Sequence, residues 1–285
     1  MQAFKLDLPG GKIVSSLHNI PVLTKGGRRP DYLPLIVALH GGCYTSAYFD
    51  VASYSARHLS DALSVEAWGT FLHDTLLPAL WKEFGLPNDC SSIPIHCHSL
   101  GTPEACVAAA LHADEASSAY PLAGITISGF GNGVSNFRVS MDPFLPSGEP
   151  ASIPFPNDMK DALMLVPGTH EPSMLKHTAR LNRPVPYREM ADLSSKWLAT
   201  WQVKFAGRIR VPVLIALAGR DGLWLSNEED VQEFAASFTA SRRVEAGIVA
   251  GAPHNLELSY WSRGWYACVF GFALEAAVAL AVGNT

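Results

Sequence analysis

Apolar runs bounded by turn residues alternate along this chain with stretches of helical period. Residues 4–8 and 13–20 read as two short strands joined by Pro9-Gly10-Gly11-Lys12. Gly26-Gly27 and Pro30 mark a turn before the continuous apolar run 33–39, which ends in His40-Gly41-Gly42-Cys43. An unbroken apolar strand belongs in a sheet covered on both faces. Helical patterns cover 47–63 and 65–84. In the second, Trp68, Phe71, Leu72, Leu76, Leu80 and Phe84 recur at helical spacing, and Pro78 predicts a kink. A strand at 93–97, a helix at 104–111 and a strand at 123–129 follow.

After Asn132 the composition changes. Residues 135–205 hold nine of the twenty prolines and five of the six methionines. They predict helical pieces near 158–165 and 189–205 and no clear strand. The strand–helix rhythm returns at 212–218, 227–238 and 244–250, and a long helix at 264–282 ends the pattern. The expectation is an α/β fold: a mostly parallel sheet with helices on both faces and an inserted helical cap. Residues 1–134 form the first part of the core, 135–206 the cap, and 207–285 the second part of the core.

With 285 residues, 48% hydrophobic and 16% charged, the chain is long and apolar enough for one large core. The net charge of −5 and the absence of any lysine or arginine run speak against a nucleic-acid partner; Arg28-Arg29 and Arg242-Arg243 are isolated pairs. Five cysteines, an odd number without CxxC spacing, predict a reducing, cytoplasmic setting and no disulfide framework. Residues 1–11 have neither the basic start nor the apolar stretch of a signal peptide. Residues 264–282 approach the length of a membrane span. Glu275, two glycines and the lack of a basic flank instead predict a terminal helix buried against the sheet, with no membrane span.

The candidate chemistry centres on Ser99. It lies in Ile93-Pro94-Ile95-His96-Cys97-His98-Ser99-Leu100-Gly101-Thr102, where a buried strand gives way to a small-residue helix. A tight turn of this kind raises a serine hydroxyl above the sheet. The hydroxyl becomes nucleophilic when a base takes its proton, and the base needs a third group to orient it. Asp221, in Leu217-Ala218-Gly219-Arg220-Asp221-Gly222, and His254, in Ala250-Gly251-Ala252-Pro253-His254-Asn255, both follow apolar strands. Singly, the aspartate reads as a turn former and the histidine as structural. Three such residues at strand ends, in the order Ser, Asp, His, read together as a catalytic triad. The backbone amides of Leu100 and Gly42, with Cys43 close by, are placed to receive an oxyanion.

On these motifs the chain resembles α/β-hydrolase-fold enzymes of the capped esterase and C–C-hydrolase kind over nearly its whole length, most weakly in the cap. In wording (His-Gly-Gly, Gly-Ala-Pro-His-Asn) it is also similar to hydrolases of fungal secondary-metabolite pathways. The resemblance implies a mostly parallel eight-stranded sheet of strand order 1-2-4-3-5-6-7-8. Two departures stand out. Cys97 occupies the first position of the nucleophile motif, normally glycine, where its side chain is expected to crowd the turn; two residues before Ser99, it belongs in the strand and is no nucleophile. Between Gly42 and Ile93, the helix, strand and helix that the fold requires do not fit. Only Leu63-Ser64-Val65 remains for the fourth strand, which is therefore shortened or missing; lowered stability is the expected consequence, and a catalytically silent shortened form is one alternative.

Other residues change the picture less. His96 and His98 share one face of their strand, but a third ligand with metal-site spacing is lacking, so no metal is expected. Asp142 is the alternative acid, set back from its strand in a proline-rich stretch. Trp197 and Trp201, with the cap methionines, either line an apolar substrate pocket or pack the cap onto the core. Trp224 either contacts ligand or shields Asp221. Gly129-Phe130-Gly131-Asn132-Gly133 lacks the third glycine and helix of a phosphate-binding loop. The expected activity is cofactor-independent hydrolysis of an ester, thioester or lactone of a mostly apolar small molecule. C–C bond hydrolysis by the same residues is the enzymatic alternative, and a non-catalytic small-molecule receptor or silent shortened form is the alternative of another class. Oligomeric state is left open.

Overall fold

The computed structural model describes residues 1–20, 31–49, 64–132 and 146–283. Strands β1 (Gln2–Leu8) and β2 (Lys12–His18) form an antiparallel hairpin. The central sheet takes β3 (Val37–Leu39), β4 (Ile93–His98) and β5 (Leu122–Ser128) from the first part of the chain. After the two short strands β6 (Ser152–Ile153) and β7 (Val185–Pro186), it is completed by β8 (Val213–Arg220) and β9 (Val244–Pro253). Its order is β3-β4-β5-β8-β9, and every pairing is parallel.

Every residue of β4 and β5 is buried, because helices cover both faces. Alternation along β4 sends His96 toward Trp265 and Tyr266 of the terminal helix α9 (Ser262–Ala281). Ile95 and Cys97 point the other way, into the core shared with Cys106 and Val107 of α3 (Gly101–Asp114). Helix α1 (Val65–Phe71) crosses α3 so closely that a Cβ on Gly69 would lie 2.3 Å from Val107 Cβ. Helix continues past α1 through the π-turns Leu72–Leu76 and Trp81–Gly85, with α2 (Leu77–Leu80) between them. The first π-turn directly precedes Pro78, which has no N–H to continue the ladder.

Several expectations need correction. Among the described residues the central sheet has five strands instead of the eight that the resemblance implies, and the β1–β2 hairpin is a separate two-stranded unit. The apolar run 33–39 contributes only three residues of strand. Pro34 supplies no N–H, so this part of the run is held by an isolated bridge to Ser92 and by Leu35 N–H donating to the Ser92 carbonyl (2.8 Å). The fourth strand, expected to be shortened or missing, is missing among the described residues: Ser64 caps α1, its Oγ accepting from Ala67 N at 3.2 Å, and Val65 opens the helix. Ser46–Phe49 is a 3₁₀ turn. The remainder of the 47–63 pattern, Leu63, the turn at 26–30 and Asp142 lie outside the described residues.

Between β5 and β8 lie α4 (Asn157–Met164), α5 (Leu175–Leu181), α6 (Tyr187–Asp192) and α7 (Leu198–Lys204); helical periodicity predicts α4, α6 and α7, and α5 is an addition. The pair β6–β7 is an addition; two residues flanked by prolines are too short for a periodic signal. This segment lies over the C-terminal ends of the core strands. Asn255 N–H donates to the Met164 carbonyl (2.9 Å) and Arg183 N–H to the Cys43 carbonyl (3.0 Å). Helix α8 (Glu228–Ala236) opens with a reciprocal capping box between Asn227 and Asp230. Helix α9 buries Trp265, Val269, Phe272, Ala273, Ala276 and Ala277 and leaves Phe270, Leu274 and Val278 exposed, so only one side of it is covered. By length and composition it could also cross a membrane.

Candidate active site

Ser99 follows β4 directly and takes φ of +50°, a left-handed conformation that β-carbon sterics disfavour. Its N–H donates to the Ser128 carbonyl and its carbonyl accepts from Thr102 N, both at 2.9 Å, which closes the turn into α3. Glycines permit this approach. A Cβ on Gly41 would stand 2.7 Å from Ser99 Cβ, and one on Gly101 would stand 2.8 Å from the Leu39 carbonyl oxygen. Cys97 is fully buried, with Sγ donating to the Thr126 carbonyl (3.3 Å).

Asp221 and His254 stand just beyond the adjacent strands β8 and β9. His254 Nε2 lies 3.1 Å from Ser99 Oγ, and His254 Nδ1 lies 2.9 Å from Asp221 Oδ2 and 3.1 Å from Oδ1. The side chains of His254 and Asp221 are 0% and 1% exposed, so the contact is shielded from water. Asp221 is also the turn former its context suggests, since Oδ1 accepts from Leu223 N (2.8 Å) and Trp224 N (3.1 Å). These turn amides hold the carboxylate while Oδ2 faces the imidazole. The arrangement places the Nδ1 proton toward Asp221 and leaves Nε2 to accept from the serine hydroxyl.

Gly42 and Leu100 meet across the turn, a Cβ on Gly42 falling 2.4 Å from Leu100 Cδ1. Neither amide is used in a backbone hydrogen bond among the described residues. Cys43 next to them has φ of +65° and is buried; burial above all pushes its thiol up to about 12. Burial likewise pushes Cys97 up to about 12, so both remain thiols at neutral pH.

The tryptophans divide. Trp201 packs on Phe234 (5.1 Å) and Phe238 (5.9 Å) of the α8 region, and Trp197 stacks on Trp201 and Phe205. For this pair the structure shows packing of the helical segment onto the core. Trp224 is buried against Phe130 (4.5 Å), beside the turn that holds Asp221.

Sequence reasoning missed five polar residues around the triad: Tyr44, Tyr48, Lys160, Asn255 and Glu257. Asn255 Nδ2 donates to Tyr44 OH (2.6 Å), while Tyr48 OH donates to Glu257 (2.9 Å). Lys160, fully buried, places Nζ 4.4 Å from the Tyr44 ring centroid and donates to the Thr178 carbonyl (3.3 Å); burial pushes its ammonium down to about 8. A charged residue three positions after a candidate catalytic histidine, in an otherwise apolar stretch, was the one available signal for Glu257. His96 and His98, which shared a strand face in the sequence, both reach that carboxylate.

No family model and no curated relative matches the chain. Solved structures do. A thermophilic esterase from Thermogutta terrifontis is 13% identical, with 97% of this chain and 100% of that one covered and a TM-score of 0.62. A monoacylglycerol lipase from Paleococcus ferrophilus is 14% identical, covering 85% and 94%, with a TM-score of 0.61. E-2-(acetamidomethylene)succinate hydrolase is 14% identical, covering 95% and 98%, with a TM-score of 0.59. A parallel central sheet flanked by helices, shared with structures of this kind, is the α/β-hydrolase fold.

Proposed function

We propose that the chain is a cofactor-independent serine hydrolase acting on an ester, thioester or lactone of a mostly apolar small molecule. The observation that carries this reading is the continuous hydrogen-bonded relay from Ser99 through His254 to Asp221, with Ser99 held at positive φ. Ser99 Oγ attacks the acyl carbonyl while its proton passes to His254 Nε2. Asp221 holds the Nδ1 proton and stabilises the imidazolium. The amides of Leu100 and Gly42 receive the oxyanion. Collapse expels the leaving alcohol or thiol with the proton from His254. Water, deprotonated by the same imidazole, then releases the acid from Ser99.

Residues 135–206 are the cap in this proposal, and its described part, from residue 146, covers the acyl site through contacts such as Met164 to Asn255. The similar structures named as esterase, lipase and hydrolase support acyl chemistry. These similarities do not support a fungal secondary-metabolite hydrolase. Buried thiols at Cys43, Cys97 and Cys106 fit a reducing, cytoplasmic setting. Turnover of short-chain p-nitrophenyl esters and thioesters, abolished by Ser99→Ala in a folded sample, is the expected result. Binding of apolar ligands without any turnover would favour the receptor reading instead.

A further inference from the structure

Beneath the relay lies a second carboxylate that the mechanism above does not use. Glu257, in the 3₁₀ turn Leu256–Leu258, has a side chain with 0% exposure. Its Oε1 accepts from Ser128 Oγ (2.5 Å) and Trp265 Nε1 (2.9 Å), and its Oε2 from Tyr48 OH (2.9 Å). His98 Nδ1 lies 3.2 Å from Oε2, and His96 Nε2 lies 3.4 Å from Oε1. With the Ser128 proton directed to Oε1, Ser128 Oγ accepts from His98 Nδ1 (3.0 Å), so His98 is tied to the carboxylate through Ser128. These donors come from different places: the ends of β4 and β5, the turn after β3, and the start of α9.

Three of these residues, His98, Ser128 and Tyr48, also border the relay. His98 immediately precedes Ser99, and the Ser128 carbonyl holds the Ser99 amide at 2.9 Å. The His98 ring stacks on Tyr48 (4.9 Å, 17°) and meets the His254 ring edge-on (5.0 Å, 61°). Tyr48 OH also reaches Asn255 Oδ1 (3.4 Å), next to His254. Gly129, at φ +59°, leaves room for both imidazoles; a Cβ there would stand 2.5 Å from His98 Cε1 and 3.2 Å from His254 Cε1.

We propose that Glu257 is a positioning residue that holds His254 in register with Ser99 through His98 and Tyr48, an inference that rests on the hydrolase reading of that pair. A buried carboxylate costs more than an apolar side chain of the same size, so stability alone gives no reason for it. What it supplies is a common acceptor that sets several loop ends in one mutual geometry. Burial pushes the Glu257 carboxyl up, but the neighbouring imidazoles and the Ser128 donor outweigh this and hold it below the usual carboxylate range. The titratable groups facing it are His96 and His98 from β4, Tyr48 from the turn after β3 and Tyr266 from α9; beyond His98 stand His254 and Asp221.

Glu257→Gln tests the inference, because the amide keeps the shape but turns one acceptor into a donor facing donors. Two readouts go together: steady-state hydrolysis of a p-nitrophenyl ester, and the low-field proton resonance of His254 Nδ1–H, assigned with Asp221→Asn. The expected result is a loss of kcat of about tenfold or more with KM little changed, and a displaced or broadened resonance, in a sample with native near-ultraviolet circular dichroism. Glu257→Asp, which keeps the charge, recovers part of the rate. A wild-type resonance and a wild-type kcat in Glu257→Gln overturn the inference. Should that variant fail to fold, Tyr48→Phe decides, since it removes one donor and keeps the ring stack: a moved resonance supports the inference and an unmoved one overturns it. Should the wild-type protein cleave no ester, the hydrolase reading falls and the resonance alone judges Glu257, so the two failures are distinguishable.

Discussion

Ser99 Oγ and His254 Nε2 stand 3.1 Å apart across 155 positions of sequence. The two strands that carry them, β4 and β9, are not neighbours; β5 and β8 lie between. The histidine reaches back because the loop after Pro253 folds over the sheet and is pinned by Asn255 to Met164, while Asp221 fixes the ring from behind.

Asp221→Asn separates orientation from architecture. The asparagine Oδ1 still accepts from the amides of Leu223 and Trp224, so the melting temperature is expected to change little. Its amide group cannot accept the Nδ1 proton, so the imidazole is held in the wrong tautomer. Ester kcat is expected to fall by about 10⁴-fold. Paired turnover and thermal-melt measurements check both halves.

Glycines next to the turn carry different penalties. In Gly101→Ala the new Cβ meets backbone, the Leu39 carbonyl oxygen at 2.8 Å, which cannot step aside. In Gly42→Ala it meets Leu100 Cδ1, the far end of a flexible side chain. Gly101→Ala is expected to cost about 2 kcal/mol of stability and Gly42→Ala less than about 1 kcal/mol. The second variant is nevertheless expected to lose turnover, because it disturbs the proposed oxyanion site. Urea unfolding with kinetics on the same samples tests the contrast.

Acid should destabilise the fold well above the pH at which surface carboxylates titrate. An unfolded imidazole protonates near 6.5, whereas burial holds His98 down to about 4 in the fold. Between these values the unfolded chain binds the additional proton, so stability falls as pH drops from 6.5 toward 4. Glu257 acts with the same sign: its carboxyl is held low in the fold, so the stability present above the ordinary carboxylate range is lost as pH falls through it. A melting temperature that declines from about pH 6.5 and more steeply below about 4.3 is the expected profile. A flat profile down to pH 4 would contradict it.

Thiol chemistry should be confined to the surface. Cys43, Cys97 and Cys106 are buried and burial pushes their thiols up, whereas Cys268 is exposed on α9. Iodoacetamide applied to the native protein is expected to modify Cys268 and spare these three, with ester turnover retained. Peptide mapping after labelling checks it; rapid alkylation of Cys43 with loss of turnover would argue for a more open site.

Much of this organisation was legible in the sequence. The fully apolar strands β4 and β5 and the helical periods of α4 and α7 give strong local signals, and Ser99, Asp221 and His254 each follow a strand. The sheet edge was less legible. Pro34 shortens β3 within a run whose apolar pattern is unbroken, and Ser64, in the one stretch left for a fourth strand, acts as a helix cap. Side-chain destinations were the least legible. Whether Trp201 lines a pocket or packs on Phe234 depends on the rotation of a helix about its axis, and Glu257 collects partners spread over more than two hundred positions.

Fluorophosphonate labelling followed by peptide mapping tests the relay most directly. The reading predicts a single phosphonyl adduct on Ser99, formed rapidly in the wild-type protein, abolished by Ser99→Ala and slowed at least about a thousandfold by His254→Ala. A folded wild-type sample that stays unlabelled, or one labelled equally fast without His254, would contradict it.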